Sequence, residues 1–254
     1  MSHVPHNWLA PDWPAPSRVR AVCTTRDGGV SSGHYASLNL GGHVGDDAAS
    51  VQANRKVLQE AINAHPVFLE QVHGTQAVAL DDRSPDNTRA DGCLTARSGI
   101  ACTIMVADCL PVLFTDTQAR AVAAAHAGWR GLAGGVLESV FDTFSRLALA
   151  QASDTLVWLG PCIGADAFEV GNDVKCVFEA QDARNAAMFK PHTAGKWMAD
   201  LQGLARLRLQ ALGITSIHGN AGSRGWCTVS NPSRFFSHRR DGVSGRFAAC
   251  IWLD

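Results

Sequence analysis

Short apolar runs rich in β-branched residues recur along the chain, and several of them end in glycine or proline. Such runs predict buried β-strands, whereas longer segments with apolar residues three and four positions apart predict amphipathic helices. The two kinds of segment alternate without the strict rhythm of a doubly wound parallel sheet. We therefore predict an α/β (α+β) fold in which mixed β-sheets pack together with helices outside. The predicted strands cover residues 19–25, 67–72, 76–80, 99–106, 112–115, 120–125, 155–159 and 246–253, and the predicted helices cover 48–64, 132–149, 172–180 and 198–212.

The size and charge of the chain limit its class. Its 254 residues can bury a substantial core, and we expect one domain over residues 1–254. Charged residues make up 18% and the formal net charge is −1, which argues against nucleic acid or an anionic membrane as the main partner. The sequence has no visible secretory signal and no apolar run of about 18 residues, so we expect a cytoplasmic protein.

Eight cysteines are spaced singly, and no Cys-x-x-Cys pair occurs. Free cysteine is among the most buried residue types, and a chain of this size needs no disulfides. The pattern therefore predicts reduced thiols that are mostly buried. Cys109 is the exception because it lies in the segment Ala-Asp-Cys-Leu-Pro, where an apolar run ends.

Three residues with metal-binding side chains, His73, Cys109 and His126, follow apolar runs that end in glycine or proline. A side chain at such a point can leave a buried sheet and face a cleft. Two imidazoles and one thiolate match the ligands of zinc, and three protein ligands leave the fourth tetrahedral position open for chemistry. The three satisfy no local spacing rule, so hydrogen-bonded core histidines and an inert thiol are the alternative. Asp108 is expected to face away from the metal and to orient its surroundings.

Further residues could bind an anion or a substrate. Arg130 follows His126 at the predicted start of a helix, where free backbone N–H groups favour anions. Arg55 could bind an anion or could be a solvated helix residue, and Asn39 could contact substrate or end a turn. Four arginines near the end of the chain form either an active-site wall or a charged turn: Arg234, Arg239, Arg240 and Arg246.

Six motifs resemble one family in order and content. They are FLEQVHG at 68–74, ADGCLT at 90–95, ADCLPV at 107–112, AHAGWRG at 125–131, GPCIG at 160–164 and FFSHRRD at 235–241. The family is named multicopper polyphenol oxidase or laccase-domain protein, and more recently purine nucleoside phosphorylase. The resemblance covers residues 22–253. One departure is Val229-Ser230, where the family often has tyrosine and cysteine.

The resemblance implies a fold similar to the cytotoxic-necrotizing-factor cysteine hydrolases, with a zinc ion held by His73, Cys109 and His126. It implies phosphorolysis of adenosine, inosine, guanosine and methylthioadenosine, and deamination of adenosine. A bacterial branch is described as a cytoplasmic peptidoglycan editing factor, which removes a wrong amino acid from a cell-wall precursor. The implied partners are a purine nucleoside and phosphate.

Two enzymatic mechanisms use these residues differently. In a phosphorylase, the metal with Arg55 and Arg130 would hold phosphate, and Asp91 is the candidate for the group that protonates the departing purine. In a thiol hydrolase or amidase, Cys109 would be the nucleophile, with His126 or His73 as its base. A metal-bound thiolate resists alkylation, whereas a metal-free nucleophile reacts with iodoacetamide.

Two other classes are less compatible with the sequence. A multicopper oxidase needs many histidines, commonly in closely spaced pairs, and this chain has no His-x-His, although copper could occupy the zinc site. A structural zinc site would need a fourth protein ligand, for which Asp91 and His238 are candidates. The sequence therefore predicts a zinc-dependent purine nucleoside phosphorylase with deaminase side activity. The alternative is the editing amidase, which would use either Cys109 or zinc-bound water.

Overall fold

The protein is built from three β-sheets and the helices that cover them, in a computed structural model that describes residues 5–254. The strands within this range are β1 (Val19–Cys23), β2 (His65–Phe68), β3 (Ala77–Ala79), β4 (Gly92–Thr95), β5 (Ile100–Val106), β6 (Leu110–Asp116), β7 (Val122–Ala127), β8 (Thr155–Leu159), β9 (Glu169–Gly171), β10 (Phe189–Pro191), β11 (Lys196–Ala199), β12 (Ser216–Gly219) and β13 (Phe247–Leu253). The α-helices are α1 (Ala48–Ile62), α2 (Trp129–Gly134), α3 (Val136–Ala148), α4 (Asn172–Glu179), α5 (Leu201–Ala211) and α6 (His238–Asp241).

Each sheet contains strands that are distant in the sequence. The first has the order β1-β13-β5-β2, with β2 parallel to β5 and the other pairs antiparallel. The second has the order β12-β8-β6-β7-β4-β3, with parallel pairs at both of its edges. The third is small and antiparallel, in the order β10-β11-β9. Parallel and antiparallel pairs in the same sheets confirm the mixed fold predicted from the sequence.

The side chains of β13 show how the two large sheets pack. Its odd-numbered residues, from Phe247 to Leu253, lie in the apolar layer between the sheets. Its even-numbered residues, from Ala248 to Trp252, pack on the other face against Leu58 of α1. Successive strand residues point to opposite faces, so a strand covered on both sides is apolar throughout. The order of layers is therefore helix, sheet, sheet, helix.

The strand β7 obeys the same alternation. Its residues Val122 and Ala124 lie between the two sheets, whereas Ala123 and Ala125 face the layer that contains α3 and α5. His126 continues the even-numbered set at the end of the strand. The pleat of β7 therefore directs the imidazole of His126 to the side of the sheet that faces the other sheet.

The predicted elements agree with the structure where capping and burial are local. Helix α1 begins after Asp47, whose carboxylate accepts the N–H of Ser50 as an N-cap, and its start at Ala48 is the predicted one. The prediction of one continuous helix over 132–149 is wrong. Gly135 adopts a left-handed φ of 98° and separates α2 from α3. None of the helices within residues 5–254 is both long and apolar enough to cross a membrane.

Two other boundaries differ. The predicted strand 67–72 ends at Phe68, because the chain then turns through His73, whose φ is 60°. The predicted helix 198–212 begins only at Leu201, since the side chain of Asp200 caps it and the two residues before Asp200 pair in β11. The short strands β4, β9, β10, β11 and β12 were not predicted. Each has three or four residues, too few to show a clear period.

Candidate metal centre

His126 is held by the buried carboxylate of Asp91, which precedes β4. The carboxylate accepts the Nδ1–H of His126 at 2.8 Å, and the backbone N–H of His126 donates to the carbonyl of Asp91 at 2.7 Å. Both side chains are almost inaccessible to solvent. A histidine whose Nδ1 is bonded to a carboxylate presents Nε2 as its free ligand atom.

The same carboxylate organises the loop that carries His73. It accepts backbone N–H groups from Val72 at 3.1 Å, His73 at 2.9 Å and Gly74 at 2.7 Å. These three bonds and the bond from His126 account for both oxygens of Asp91. The carboxylate therefore fixes the loop and the ring of His126 together, and it has no free oxygen to act as a fourth metal ligand.

Cys109 lies in the turn between β5 and β6, directly before the first residue of β6. The turn depends on Asp108, which has a positive φ of 95°. The carboxylate of Asp108 accepts the hydroxyl of Thr228 and the backbone N–H of Arg239, both at 2.6 Å. As expected, Asp108 is not among the grouped ligands and instead orients the turn that presents Cys109.

The three predicted ligands converge. The ligand atoms of His73, Cys109 and His126 all lie within 4.8 Å of one another, and the thiol sulfur of Cys109 is 3.6 Å from Nε2 of His73. No fourth His, Cys, Asp or Glu within residues 5–254 joins this group. Two imidazoles and a thiolate fit a divalent transition metal, and three protein ligands are typical of a catalytic rather than a structural zinc site.

Gly128 makes room for this group. A Cβ atom at position 128 would lie 2.7 Å from Cδ2 of His73 and 2.9 Å from Sγ of Cys109. The φ of Gly128 is −69°, which any residue adopts, so the reason for glycine here is steric. Even alanine, the smallest residue with a side chain, would fill the space over His73 and Cys109.

We expect Gly128→Ala to weaken metal binding at least about fivefold, because overpacking typically costs about 1–3 kcal/mol. The methyl group would displace His73 and Cys109 from their positions without straining the backbone. The measurement is competition for zinc with a chromogenic chelator. The control is Gly225→Ala, where the nearest neighbour of the added Cβ is 4.0 Å away. Equal zinc affinity in the two variants would contradict this steric role of Gly128.

The ligands of the group alter one another's protonation. Burial alone would raise the pKa of the Cys109 thiol, but the charge of His126 and hydrogen bonds from His126 and His73 lower that pKa to about 6. Burial alone would lower the pKa of His126, but the charge of Cys109 and the bond to Asp91 raise that pKa to about 9. Burial opposes ionisation of Asp91, yet its bonds to His126 and to the loop lower its pKa. In the metal-free protein these shifts favour a thiolate at Cys109 and an imidazolium at His126.

The group faces a cavity of about 350 Å³. Part of the lining is apolar or aromatic and includes Trp129 and Phe168. The guanidinium of Arg130 lies 4.4 Å from the ring of Trp129, and that of Arg239 lies 5.5 Å from the ring of Phe168. A cavity of this size with aromatic walls and a few polar groups suits a small-molecule ligand.

The structure separates the other predicted site residues. Arg130 lines the cavity, but Arg55 does not: its Nε donates to the carbonyl of Leu40 at 3.0 Å and its Nη1 lies 3.5 Å from Asp86. The amide of Asn39 is fully occupied, with donors to Gly41 and Asp46 and acceptor bonds from Gly41 and Arg246. We therefore do not place Arg55 or Asn39 in contact with a ligand.

Residues that the sequence did not single out also line the cavity. His43 is one of them, and it comes from the glycine-rich loop at residues 41–45, before α1. Arg246, which the sequence did single out as part of either an active-site wall or a charged turn, lines the cavity as well. The glycines on both sides of His43 were the available signal, since such loops often carry ligand-binding residues.

Comparison with known proteins agrees with the motifs. Residues 20–254 match the family described as multi-copper polyphenol oxidoreductase laccase. A Pseudomonas aeruginosa protein named purine nucleoside phosphorylase is 50% identical over 248 residues, 97% of this chain and 98% of that protein. The Escherichia coli protein named purine nucleoside phosphorylase YfiH is 46% identical over 247 residues, 96% of this chain and 98% of that protein.

Solved structures show the same fold. The crystal structure of Neisseria meningitidis protein NMB0706 matches with a TM-score of 0.92 and 45% identity, over 98% of this chain and 99% of that one. The crystal structure of YlmD from Geobacillus stearothermophilus matches with a TM-score of 0.89 and 32% identity, over 97% of this chain and 96% of that one. The resemblance expected from the six motifs is confirmed, and the chain belongs to the multi-copper polyphenol oxidoreductase laccase family.

Proposed function

We propose that this protein is a metal-dependent purine nucleoside phosphorylase and that zinc is its metal. The observation that carries the proposal is the convergence of His73, Cys109 and His126 at a cavity large enough for a nucleoside. The names of the P. aeruginosa and E. coli relatives, which match almost the whole chain, support it. The proposed substrates are adenosine, inosine, guanosine and methylthioadenosine, with deamination of adenosine as a side activity.

His73, Cys109 and His126 would hold the metal. Zinc with three protein ligands supplies a Lewis acid whose fourth position is open to a ligand oxygen. Asp91 orients His126 and the loop of His73, so its part is to position ligands rather than to donate a proton. This placement supports catalytic over structural zinc, because neither Asp91 nor His238 joins the ligand group.

The reaction requires an anion site and a proton donor in the same cavity. In phosphorolysis, an oxygen of inorganic phosphate forms a bond to C1′ of the ribose while the bond from C1′ to N9 breaks. A proton then reaches the departing purine, and the products are ribose 1-phosphate and the free base. Trp129 and Phe168 offer aromatic faces for the purine. The imidazole of His238, which lines the cavity outside the metal group, is available to supply the proton.

The test uses purified protein of known metal content. Inosine is incubated with and without phosphate, and hypoxanthine and ribose 1-phosphate are measured. We expect hypoxanthine only when phosphate is present, and loss of the reaction after chelation with recovery on adding zinc. Hypoxanthine formed equally without phosphate would indicate hydrolysis and would reject the phosphorylase. Ammonia release from adenosine, measured in parallel, tests the deaminase activity.

A second candidate is the amidase that edits a peptidoglycan precursor, with Cys109 as nucleophile. The observation in its favour is the contact of 3.6 Å between the sulfur of Cys109 and Nε2 of His73, beside the His126–Asp91 pair. In this reaction the sulfur forms a thioester with the amide carbon, and the amine leaves with a proton from an imidazole. Water then cleaves the thioester to a carboxylate and restores the thiol. Activity that survives complete removal of metal would favour this candidate.

The protonation state of Cys109 is directly measurable in metal-free protein. Because the pKa of Cys109 is lowered to about 6, its alkylation rate is expected to rise tenfold per pH unit below pH 6 and to level off above it. An ordinary thiol, with a pKa near 8.5, would level off only at higher pH. The measurement is iodoacetamide labelling followed by mass spectrometry of the peptide that carries residue 109.

A titration of Cys109 centred near 8.5 would contradict the thiolate–imidazolium pair. In His126→Gln the midpoint is expected to move upward, because the charge that lowers the pKa is removed. Bound zinc is expected to suppress labelling of Cys109 while the exposed Cys176 of the same molecules is still labelled. This second comparison separates a metal ligand from a free nucleophile.

We also propose that residues 1–254 form one domain whose fold is of the cytotoxic-necrotizing-factor cysteine hydrolase type. The support for a single domain is the shared layer of apolar side chains between the two large sheets, to which β13 of one and β7 of the other contribute. A single cooperative unfolding transition, coincident by fluorescence and circular dichroism, is the expected result.

A further inference from the structure

Arg246 lies at the edge of the cavity, one residue before β13, and hydrogen bonds fix both its backbone and its side chain. Its backbone N–H donates to Oδ1 of Asn39 at 2.8 Å. Its Nη1 donates to the carbonyls of Ser244 at 2.8 Å and Gly245 at 3.0 Å. A Cβ atom on Gly41 would lie 2.8 Å from Cγ of Arg246, so the glycine-rich loop packs directly on the arginine stem. The guanidinium is therefore preorganised.

The charge of Arg246 has no carboxylate partner among residues 5–254. No hydrogen bond to its Nε or Nη2 is formed within that range, and no ion pair includes it, whereas Arg55 is paired with Asp86. Burial lowers the pKa of Arg246, although the charges of Cys109 and Asp108 act in the opposite direction. A half-buried, unpaired cation is costly unless a ligand compensates it.

Apart from Cys109, which is one of the three proposed metal ligands, the remaining lining adds little negative charge. Asp108 is the one carboxylate among the lining residues, and both of its oxygens are already bonded to Thr228 and to the backbone of Arg239. His43 lines the same cavity, and Arg246 is near enough to lower the pKa of His43 beyond the effect of partial burial. Arg246 and a neutral imidazole therefore present N–H donors to an anion.

Two other arginines of the lining are placed differently. Arg130 and Arg239 are exposed, and their guanidinium groups lie over the rings of Trp129 and Phe168. Arg239 also donates from Nη1 to the carbonyl of Glu169 at 3.0 Å. Their position beside aromatic faces suits the base, whereas the planar fork of Arg246, with two free donors, suits a phosphate.

We propose that Arg246, with His43 beside it, forms the subsite that binds inorganic phosphate during phosphorolysis. The inference rests on the proposed function and adds the anion-binding residue, which the sequence had assigned to Arg55 and Arg130. Phosphate held there lies in the same cavity as His73, Cys109 and His126. Binding of the nucleoside does not require this guanidinium.

The test is Arg246→Met in the zinc-loaded protein, which keeps the stem that packs on Gly41 and removes the charge. The KM for phosphate is expected to rise at least about tenfold, as for loss of a charge-assisted hydrogen bond. The KM for inosine and the zinc content are expected to stay within about twofold of the parent. Arg246→Lys keeps the charge but not the planar guanidinium group, so its KM for phosphate is expected to lie between those of the parent and Arg246→Met. This variant replaces Arg246→Met in the test if the Met variant does not fold.

The matched comparison is Arg55→Met, which removes the same charge from a position outside the cavity. If Arg55→Met raises the KM for phosphate and Arg246→Met does not, the subsite lies at Arg55 and the inference is overturned. Equal effects on phosphate and inosine in the Arg246 variants would also overturn it, because that result describes a general disturbance of the cavity.

Calorimetric titration of zinc-loaded protein keeps this inference distinct from the proposed function. Inorganic phosphate and a nucleoside 5′-monophosphate are titrated separately into the parent and Arg246→Met. Weaker phosphate binding in the variant supports the subsite even if no phosphorolysis is observed, in which case the proposed function alone fails. If only the monophosphate depends on Arg246, the anion enters as part of the substrate and the phosphate subsite is rejected.

Discussion

Replacing Cys109 with serine is expected to remove the metal and lower kcat/KM for inosine by about a thousandfold or more. The hydroxyl is close in size to the thiol but is not ionised at neutral pH, so the metal loses its one anionic ligand of the three. A metal acting as a Lewis acid is worth several kcal/mol of transition-state stabilisation, and each 1.36 kcal/mol corresponds to about a tenfold change in rate. Metal content by mass spectrometry and steady-state kinetics are the measurements.

The control for this variant is Cys176→Ser, because Cys176 is exposed and lies outside the ligand group. It is expected to keep both its metal and its activity. A Cys109→Ser protein that still binds zinc stoichiometrically would show that the sulfur is not a ligand. If that protein has lost activity while keeping its zinc, the thiol is the nucleophile and the amidase mechanism gains support.

Asp91→Asn is expected to lower the free energy of unfolding by about 3–5 kcal/mol, the usual cost of breaking a buried charged pair. The carboxylate is completely buried and accepts three backbone N–H groups as well as the Nδ1–H of His126. The amide nitrogen of asparagine is itself a donor, so it could not accept the N–H groups that the carboxylate oxygen accepts. Metal affinity is expected to fall by about 10- to 100-fold, because the ring of His126 loses its orienting partner.

The matched control is Asp116→Asn, at the other end of the β6–β7 hairpin. Asp116 is equally buried, and its carboxylate accepts the backbone N–H groups of Gln118 and Arg120. This variant is expected to lose comparable stability in urea unfolding while its zinc affinity stays within about twofold. Equal loss of zinc affinity in the two variants would mean that stability alone, and not the orientation of His126, controls the metal site.

The convergence of the three proposed ligands was predictable from their side-chain chemistry and from the motifs around them, not from their distances along the chain. His73, Cys109 and His126 have ligand side chains at the ends of apolar runs, and the structure brings them together. Their roles as ligands stay a prediction until the metal is measured. What the sequence could not supply was the partner of His126, since Asp91 reaches it through the pairing of β4 with β7.

The anion-binding residues were harder to predict for the same reason. Arg55 follows the glycine-rich loop in the sequence, but its guanidinium turns to the carbonyl of Leu40 and to Asp86. Arg246 enters the cavity because Asn39 binds its backbone across more than two hundred residues of chain. A pairing of that kind depends on the closed sandwich, and no local pattern in the sequence encodes it.

Secondary structure was predictable where a side chain acts on its own neighbours. Asp47 caps α1 through a residue three positions away, which a sequence pattern can show. The division of the predicted helix at Gly135 depends on a left-handed backbone conformation, and a single glycine within a helical pattern indicates this only weakly. The short strands of the smallest sheet are defined by their partners rather than by their own residues.

The distribution of the ligands over three separate segments has a consequence for assembly of the molecule. His73 follows a strand of one large sheet, whereas His126 belongs to the other and Cys109 lies in the turn that joins a strand of each. No fragment comprising a single sheet would contain all three donors, so high-affinity zinc uptake should follow closure of the two sheets. The ion would then bind late in folding and stabilise the assembled pair of sheets, and this gain in stability would increase with the concentration of free zinc.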